Sequence, residues 1–557
     1  MTISVKRYDP HKALIQKLVS ALFLENYGDF RSHSFINNHY LKVSLNKTNS
    51  LLFNCIEHKG QMVPFKVVGN EILLQSEAHP ATAIELDSLM SHFISADWWP
   101  NSDSLRIISK WQEVLSTVNI LAQPAPVQSH AELLEWFAIV VDRPNHPFAH
   151  AKASLQDILT HWHGQNIHWW AFPKARVFTR NDEDTVQTLL GQYDAAAINH
   201  KLAELQGDYI ALPLLPSQTA CALKIEDAHD LCLVTQLGYA TSSLRTFFHQ
   251  DDPSVHIKLA SIATPLGAMR TMPPRYLYNG DCAFQLLQQI VSRSTFLSDR
   301  VVLCDEQAWW SLGENADMLQ CKGEIGFQIR RFPKSGKKFM LSMAALNHPE
   351  SWHIIEQEGI CRTTLLKNVC RYFVKMGLEF LYFGVAPECH GQNVSIAINS
   401  EDDFVFVLRD HDSLRICPDQ LAVHQLTLPD YQINWQTPNT LVLPNLTELS
   451  KYFITLGLQV NLYALSQAFS PYEKESQFWQ QLSEDIQEAL SELNNAAFSN
   501  WAESNFIKQP SWPFKEILAP LFSASDDVTG MPSSMATIAN PLYELNTVKP
   551  EQSCEAH

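Results

Sequence analysis

Hydrophobic positions along this chain fall into two kinds of pattern, and the transitions between them outline its elements. Ala13 to Leu24 is largely apolar but interrupted by Gln16, Lys17 and Ser20, which predicts an amphipathic helix. Thr363 to Met376 predicts a second helix, with Gly377 as its C-cap. Phe478, Leu482, Ile486, Leu490 and Leu493 recur at three- and four-residue spacing and predict a third. Two β-branched or aromatic runs, Val394 to Ile398 and Phe404 to Leu408, flank the polar segment Asn399-Ser400-Glu401-Asp402-Asp403. That pattern predicts an antiparallel hairpin. With the turn centred near Glu401, paired positions sum to about 802, so Gln392 faces Asp410 and His390 faces Asp412. If the backbone stays extended upstream, Glu388, His390 and Gln392 share one face.

A chain of 557 residues is too long for one core; two or three domains are expected from length, and three regions can be read along the sequence. The first, 1–130, reads as mainly helical and closes near the linker-like Gln123-Pro124-Ala125-Pro126. The second, 131–340, mixes short strands with turns and ends in the basic run Arg330 to Lys338. That run contains Ser335-Gly336-Lys337 but lacks the upstream glycine of a phosphate-binding loop, and is expected to be a solvated basic turn. The third, 341–557, holds the hairpin and two of the helices, and its last dozen residues read as a loose tail. The adjacent tryptophan pairs at 98–99, 169–170 and 309–310 are expected to anchor packing.

Net charge narrows the partners. At −18, the chain is poorly suited to nucleic acid, although a local basic pocket can still receive a small anion. Eleven cysteines without a C-x-x-C pair fit reduced thiols. No segment approaches the roughly 20 apolar residues of a membrane span. A cytoplasmic protein without a signal peptide is expected.

Candidate chemistry concentrates at the hairpin. Glu388 and Asp410, with His390 and Gln392 nearby, form a set of carboxylates, imidazole and amide suited to a divalent metal and its bound phosphate. A polar hairpin end without chemistry is the alternative. Upstream, Ser242-Ser243-Leu244-Arg245-Thr246, His256-Ile257-Lys258-Leu259 and Met269-Arg270-Thr271 bring three cations and several hydroxyls into about thirty residues. Spacing alone leaves open whether these are unrelated surface cations. Arg143-Pro144-Asn145-His146-Pro147 holds a histidine before a proline, which favours an extended or turn conformation. His161, His163 and His168 lie among tryptophans and read as a packed segment rather than a metal site.

Taken in order, these motifs resemble the NRPS-independent siderophore synthetases of the aerobactin-synthetase type. Glu388-Cys-His-Gly-Gln-Asn393 looks like the family's Glu-Ala-His-x-Gln-Asn, and Arg409-Asp410 like its later Arg-Asp. Ser243-Leu-Arg245, Lys258 and Arg270-Thr271 look like its Ser-x-Arg, Lys and Arg-Thr series. His146-Pro147, Lys515-Glu-Ile-Leu518 and Asn540-Pro-Leu542 extend the match over roughly residues 140 to 545. The resemblance implies an α+β, multidomain thumb, fingers and palm arrangement with antiparallel sheets and a helical palm, the three parts being 1–130, 131–340 and 341–557. It implies adenylation of a carboxylate, most often citrate, by ATP and condensation with an amine or alcohol, releasing AMP and pyrophosphate. Glu388 and Asp410 would hold Mg2+. Ser243, Arg245, Lys258, Arg270 and His146 would contact nucleotide phosphates, the acyl-adenylate or the carboxylate, Arg245 on the substrate side. His390 and Gln392 would reach phosphate or substrate, and Asn393 would support the nucleotide site. A homodimer is common in the family.

Some positions depart from the family pattern. Where the family usually shows His-Pro-x-His-Pro-x-x-Lys-x-Arg, this chain has Arg143, His146, His150 and Lys152; Leu266 stands where a threonine is usual with Thr264 close by, and Leu521 where an arginine is usual. A kinase-like phosphotransferase is the rival enzyme class, and a non-catalytic binder of a carboxylate or siderophore precursor is the rival outside catalysis.

Overall fold

The structure is a computed structural model of the chain. It describes residues 8–37, 39–58, 62–77, 79–100, 102–141, 143–150, 162–180, 195–261, 270–314, 316–334, 336–436, 440–469, 471–472, 474–523 and 534–547. Lys152, His161, Thr264, Leu266 and most of the C-terminal tail lie outside the described residues.

The fold is α+β, and its sheets are almost wholly antiparallel. Near the N-terminus, the helix Pro10–Leu24 begins at Asp9, whose carboxylate accepts from the backbone N–H groups of His11 and Lys12 at 3.0 and 3.2 Å. That cap satisfies two of the four orphan donors, and Pro10 suits the first helical position because its missing N–H would be unpaired anyway. The helix packs on a five-stranded meander running from Ser34 to Ile84. The expectation of a mainly helical first segment therefore needs correction: helix and sheet share it. The missed signal is the alternation of Leu41, Val43, Leu51, Phe53, Cys55, Phe65 and Val67, all buried, with more exposed neighbours.

Two apolar cores result. One gathers residues from Leu14 to Val118 with Phe148, Leu518, Leu521 and Phe522, and the other runs from Leu121 to Leu542. The tryptophan pairs at 169–170 and 309–310 are fully buried, and Trp98 and Trp99 sit in an aromatic cluster with Tyr27, Phe30 and Phe93. All ten described cysteines are free thiols. Among the described residues, no helix is long and apolar enough to cross a membrane.

Glu25, just past the first helix, ties the two ends of the chain together. Its carboxylate accepts from the backbone N–H groups of Ile517 at 2.9 Å and Leu518 at 2.9 and 3.1 Å. Burial raises its pKa to about 7, although the backbone donors oppose the shift. Because the folded value lies above the unfolded one, the folded state holds this proton more tightly. The associated stability is complete below the ordinary carboxylate range and is lost as pH rises through 7. Glu25→Gln is therefore expected to flatten the pH dependence of Tm between about pH 5 and 7; a wild-type slope kept in the variant would assign it to other groups.

The predicted third helix is Glu475–Leu493. The second is longer than expected, Arg362–Tyr382, and Gly377 is not its cap. A Cβ at Gly377 would lie 1.9 Å from Cζ of Phe453, so glycine here permits a ring to rest against helix backbone. Gly377→Ala should therefore destabilise the protein by about 1–3 kcal/mol despite alanine's better helix propensity. Chemical denaturation would measure it, and a neutral or stabilising result would show that Phe453 can move aside.

Three elements converge on the hairpin. It forms between Val394–Ile398 and Phe404–Leu408, and every pair, from Val394 with Leu408 to Ile398 with Phe404, has the predicted register. Its four-stranded sheet includes one parallel partner, Val301–Leu303. Beside it stands a five-stranded sheet in which Val255–Leu259 pairs with Gly326–Arg331, and the latter with Asp305–Leu312.

Candidate active site

Strand alternation selects which polar groups enter the site. His256 pairs with Arg330 and Lys258 with Gln328, so all four belong to one face of the second sheet, and all are buried. Next along the sheet, Asp305–Leu312 has an irregular register between Asp305 and Ala308, the stretch that contributes Glu306. These side chains meet Asp410, two residues beyond the strand Phe404–Leu408. Lys258 Nζ donates to Asp410 Oδ1 at 2.5 Å, and an Arg330 Nη donates to the same oxygen at 2.7 Å. Arg330 Nε also donates to Glu306, which in turn accepts from the backbone N–H groups of Asp410 at 3.1 Å and His411 at 3.3 Å. Asp410 adopts a left-handed backbone, φ 58°, which is unfavourable for a residue with a Cβ. The Glu306 carboxylate, gripping two consecutive N–H groups, holds that turn in place.

Arg330 was expected in a solvated basic turn and is instead 1 % exposed. The run beyond it does reach solvent, as at Lys334. Two apolar residues flanking it, Ile329 and Phe332, are the signal that Arg330 belongs to a strand. Glu306, next to an equally concealed tryptophan pair, carried no distinguishing signal. Its partner Arg330 drives its carboxyl down against the opposing effect of burial. For Asp410, burial again acts upward, but Arg330, Lys258 and Arg409 hold it well below the usual carboxylate range.

Upstream of the first hairpin strand, Glu388 to Asn393 is a compact turn rather than an extended segment. Asn393 O accepts from the Arg409 N–H at 3.1 Å, the last contact that continues the hairpin register. Beyond it the chain turns away, so His390 and Gln392 do not pair with Asp412 and Asp410 as the extrapolated register expects. Gln392 Nε2 lies 3.5 Å from Ser242 Oγ instead. Gly391 explains the departure: its carbonyl accepts from the Ala344 N–H at 2.8 Å, and a Cβ would lie 2.9 Å from that nitrogen. Asn461 Nδ2, from a helical stretch with wider π-type turns, donates to Cys389 O at 3.1 Å.

The turn still gathers chemistry. Glu388 accepts from Asn393 Nδ2 at 3.3 Å and lies 3.9 Å from Arg415. Burial alone would raise its pKa, yet His390, Arg415, Lys515 and Arg143 together hold it at about 2. His390 is lowered to about 3 by burial and by Arg143, so it is neutral near pH 7. Its Nδ1 accepts from the Gln392 N–H at 3.2 Å, which leaves the ring proton on Nε2. Lys515 is lowered to about 8 by burial, with Arg143 and Arg415 adding to the effect and Glu388 opposing it. Glu388, Asn393 and Asp410 line one small cavity, while Arg143, Ser242, His390 and Gln392 line another.

The Ser-x-Arg turn completes the wall. Leu244 has a left-handed backbone, φ 61°, and separates Ser243 from Arg245. Ser243 Oγ donates to Thr246 Oγ1 at 2.7 Å. Arg245 donates to the backbone oxygens of Arg270 at 2.6 Å and Thr271 at 3.2 Å, thereby joining two of the cation segments. Ser242 N–H donates to Glu135 at 3.1 Å, and Glu135 faces Arg409. The three segments are thus not unrelated surface cations. His146 is buried in the adjoining loop, and His150 Nε2 contacts the Ile139 carbonyl at 2.9 Å. Leu521 is packed in the N-terminal core, so it contributes apolar contact rather than charge. Near Pro126, His163 is partly exposed, its Nε2 lying 2.8 Å from the Pro126 carbonyl and 3.2 Å from Glu132.

Among the described residues, no three histidines, cysteines or carboxylates form a ready-made metal site. A hard cation such as magnesium does not need one, because it takes one or two carboxylates and completes its shell with water and phosphate oxygens. The residues fit that mode. Asp412 is raised by burial and by the charges of Asp410, Glu306 and Glu388, a crowding of carboxylates that a bound cation would relieve.

Known proteins resemble the chain in sequence and in fold. The IucA / IucC family model matches residues 141–348, and a model described as ferric iron reductase FhuF-like transporter matches 364–527. Staphyloferrin B synthase of Staphylococcus aureus (strain NCTC 8325 / PS 47) is 28% identical, covering 95% of this chain and 97% of the relative. The fold matches the petrobactin biosynthesis protein AsbB of Bacillus anthracis str. Sterne with a TM-score of 0.77 at 16% identity, over 96% of each chain. It also matches aerobactin synthetase IucC of Klebsiella pneumoniae at 0.70 and 16% identity, over 96% of this chain and 98% of that one. ATP-bound aerobactin synthetase IucA from the same organism matches at 0.67 and 14% identity, over 96% and 100%. The ordered motifs, the two adjoining family matches and the near full-length relative point the same way: residues 141–348 match the IucA / IucC family, the chain is similar over nearly its whole length to a siderophore synthase, and its homologues are named synthetases, in keeping with a ligase.

Proposed function

We propose that this protein activates a carboxylic acid, with citrate the leading candidate, by adenylation with ATP, and passes the acyl group to an amine or alcohol. The observation that carries the reading is the set of buried cations around Asp410 and Glu388 in a chain of net charge −18. ATP and citrate together bring roughly seven negative charges, and only a locally basic pocket could draw them together. In this reading 1–130, 131–340 and 341–557 act as thumb, fingers and palm, with the site between the last two.

The carboxylate oxygen attacks the α-phosphorus and pyrophosphate leaves. The amine or alcohol then attacks the acyl carbon, loses its proton, and AMP leaves. Lys258, Arg245 and Arg270 oppose charge building on the phosphate oxygens. His390, neutral with its proton on Nε2, can donate to an anionic oxygen without adding charge. Ser243, His146 and Gln392 orient the nucleotide, and Asn393 steadies Glu388 through its amide. Glu388 and Asp410 would hold Mg2+, which when bound neutralises phosphate oxygens. Lys515 and Arg143, adjoining Glu388 and His390, suit the carboxylates of the acid.

Hydroxylamine trapping tests the proposal. With ATP and magnesium, citrate should give a hydroxamate together with AMP and pyrophosphate, while 2-oxoglutarate and succinate report on acid choice. ADP in place of AMP would point to the phosphotransferase. Nucleotide binding without any product would point to the non-catalytic relative.

A further inference from the structure

Phe453–Leu462, the helical stretch with wider turns, is mostly apolar and buried, and Thr455, Gln459 and Asn461 interrupt it. Thr455 bonds back to its own helix, donating to the Lys451 carbonyl at 2.8 Å. Gln459 and Asn461 reach outward instead, although they are only 5 % and 0 % exposed. Gln459 Nε2 donates to the Pro513 carbonyl at 2.9 Å. Asn461 Nδ2 donates to the Cys389 carbonyl at 3.1 Å and lies 3.5 Å from Met343 Sδ. Its Oδ1 lies 3.2 Å from where a Gly391 Cβ would be, so the glycine admits the amide. Val460, between the two, lines the small cavity that contains Arg143, Ser242, His390 and Gln392. Consecutive helical residues point in well-separated directions, and here three of them face a strand, a cavity and a turn. Widened helical turns recur at functional sites.

Both acceptor carbonyls belong to segments that carry residues of the proposed site. Pro513 lies two residues before Lys515 on the strand Ser511–Glu516, so their side chains share a face. Cys389 lies between Glu388 and His390. The charge of Lys515 acts on both Glu388 and His390, which places strand and turn across the site from each other. Neither segment depends on its amide alone. Trp512 Nε1 donates to the Phe506 carbonyl at 2.9 Å, and Glu25 accepts from Ile517 and Leu518, so the strand is tied on both sides of Lys515. The Ala344 and Arg409 N–H groups hold the turn at Gly391 and Asn393. What the two amides add is a common origin, since one helix sets the separation between Lys515 and His390.

We infer that Gln459 and Asn461 are positioning residues for the reaction, Gln459 placing Lys515 against the acid and Asn461 placing His390 against the reacting phosphate. The inference rests on the adenylating function proposed above and adds two residues to its machinery. Lys515 meets the acid in the ground state and the transition state alike, so displacing it weakens binding. His390 meets oxygens on which charge builds, so displacing it slows the chemical step.

The test is a pair of double-mutant cycles read through hydroxamate formation, with ATP, magnesium, saturating hydroxylamine and varied citrate. Gln459→Met and Asn461→Leu conserve volume and remove the amide, and a melting curve accompanies each. Gln459→Met should raise KM for citrate about tenfold and leave kcat within about twofold. Asn461→Leu should lower kcat about tenfold and leave KM within about twofold. If Asn461→Leu does not fold, Asn461→Asp, of the same shape and without the donor, carries that arm. Added to Lys515→Ala, Gln459→Met should change KM less than about twofold, because the group it places is already gone. Added to His390→Ala, Asn461→Leu should likewise change kcat less than about twofold. Full additivity in either cycle would reduce that amide to a structural role and overturn the inference. Wild-type kinetics in either single variant, or the opposite split between KM and kcat, would overturn it as well. A wild type that forms no hydroxamate from any acid would instead remove the adenylation reading, and the inference with it.

Discussion

Asp410→Ala is expected to lower turnover by about 10³-fold, or about 4 kcal/mol of transition-state stabilisation. In the intact protein this carboxylate is where Lys258, Arg330 and the hairpin meet. Without it Lys258 loses its fixed position, and one of the two proposed magnesium ligands disappears. Arg330 retains Glu306, so the sheet can keep its shape. Asp410→Asn retains the volume and one acceptor oxygen and serves as the conservative control. Single-turnover formation of AMP, with a melting curve for each variant, would measure the effect. Either variant retaining near-normal turnover, with the fold intact, would remove Asp410 from the reaction.

Arg330→Met should act mainly on stability, lowering it by about 3–5 kcal/mol, enough to deplete the folded protein. Arg330 lies between Glu306 and Asp410, and removing it leaves the buried Glu306 carboxylate facing the partly buried Asp410 carboxylate, with Lys258 as the direct counter-charge. A double variant, Arg330→Met with Glu306→Gln, should regain much of the loss because the unpaired charge goes with its partner. Urea unfolding of the single and double variants would report the coupling. A single variant as stable as the wild type would mean that water enters to solvate Glu306.

The hairpin was readable because two β-branched runs and a polar turn specify both period and register. Every observed pair follows it. What failed was the extrapolation beyond Val394. Gly391 permits a close contact with Ala344, and that tertiary hydrogen bond outweighs the tendency to continue a strand. The helix through Gly377 failed for a similar reason: the glycine accommodates a phenylalanine from a distant segment, and local signals cannot distinguish that from a cap. The conjunction of Ser243, Arg245, Lys258 and Arg270 was suggested by ordered motifs, but their common wall depends on strand pairing across long separations. Glu306 and Arg330 were hidden because a buried ion pair resembles two ordinary surface charges until both strands are placed.

The two ends of the chain share a core, and that sets an order of events during synthesis. Leu14 through Val118 leave the ribosome early, but Leu518, Leu521 and Phe522, which complete their packing, follow roughly 400 residues later. At ordinary elongation rates that interval lasts on the order of 20–80 s. Throughout it the nascent first segment carries an uncovered apolar seam and a Glu25 carboxylate without its backbone donors. The beginning of this protein therefore depends on a chaperone, or on tolerance of an unfinished surface, until its own last turns arrive.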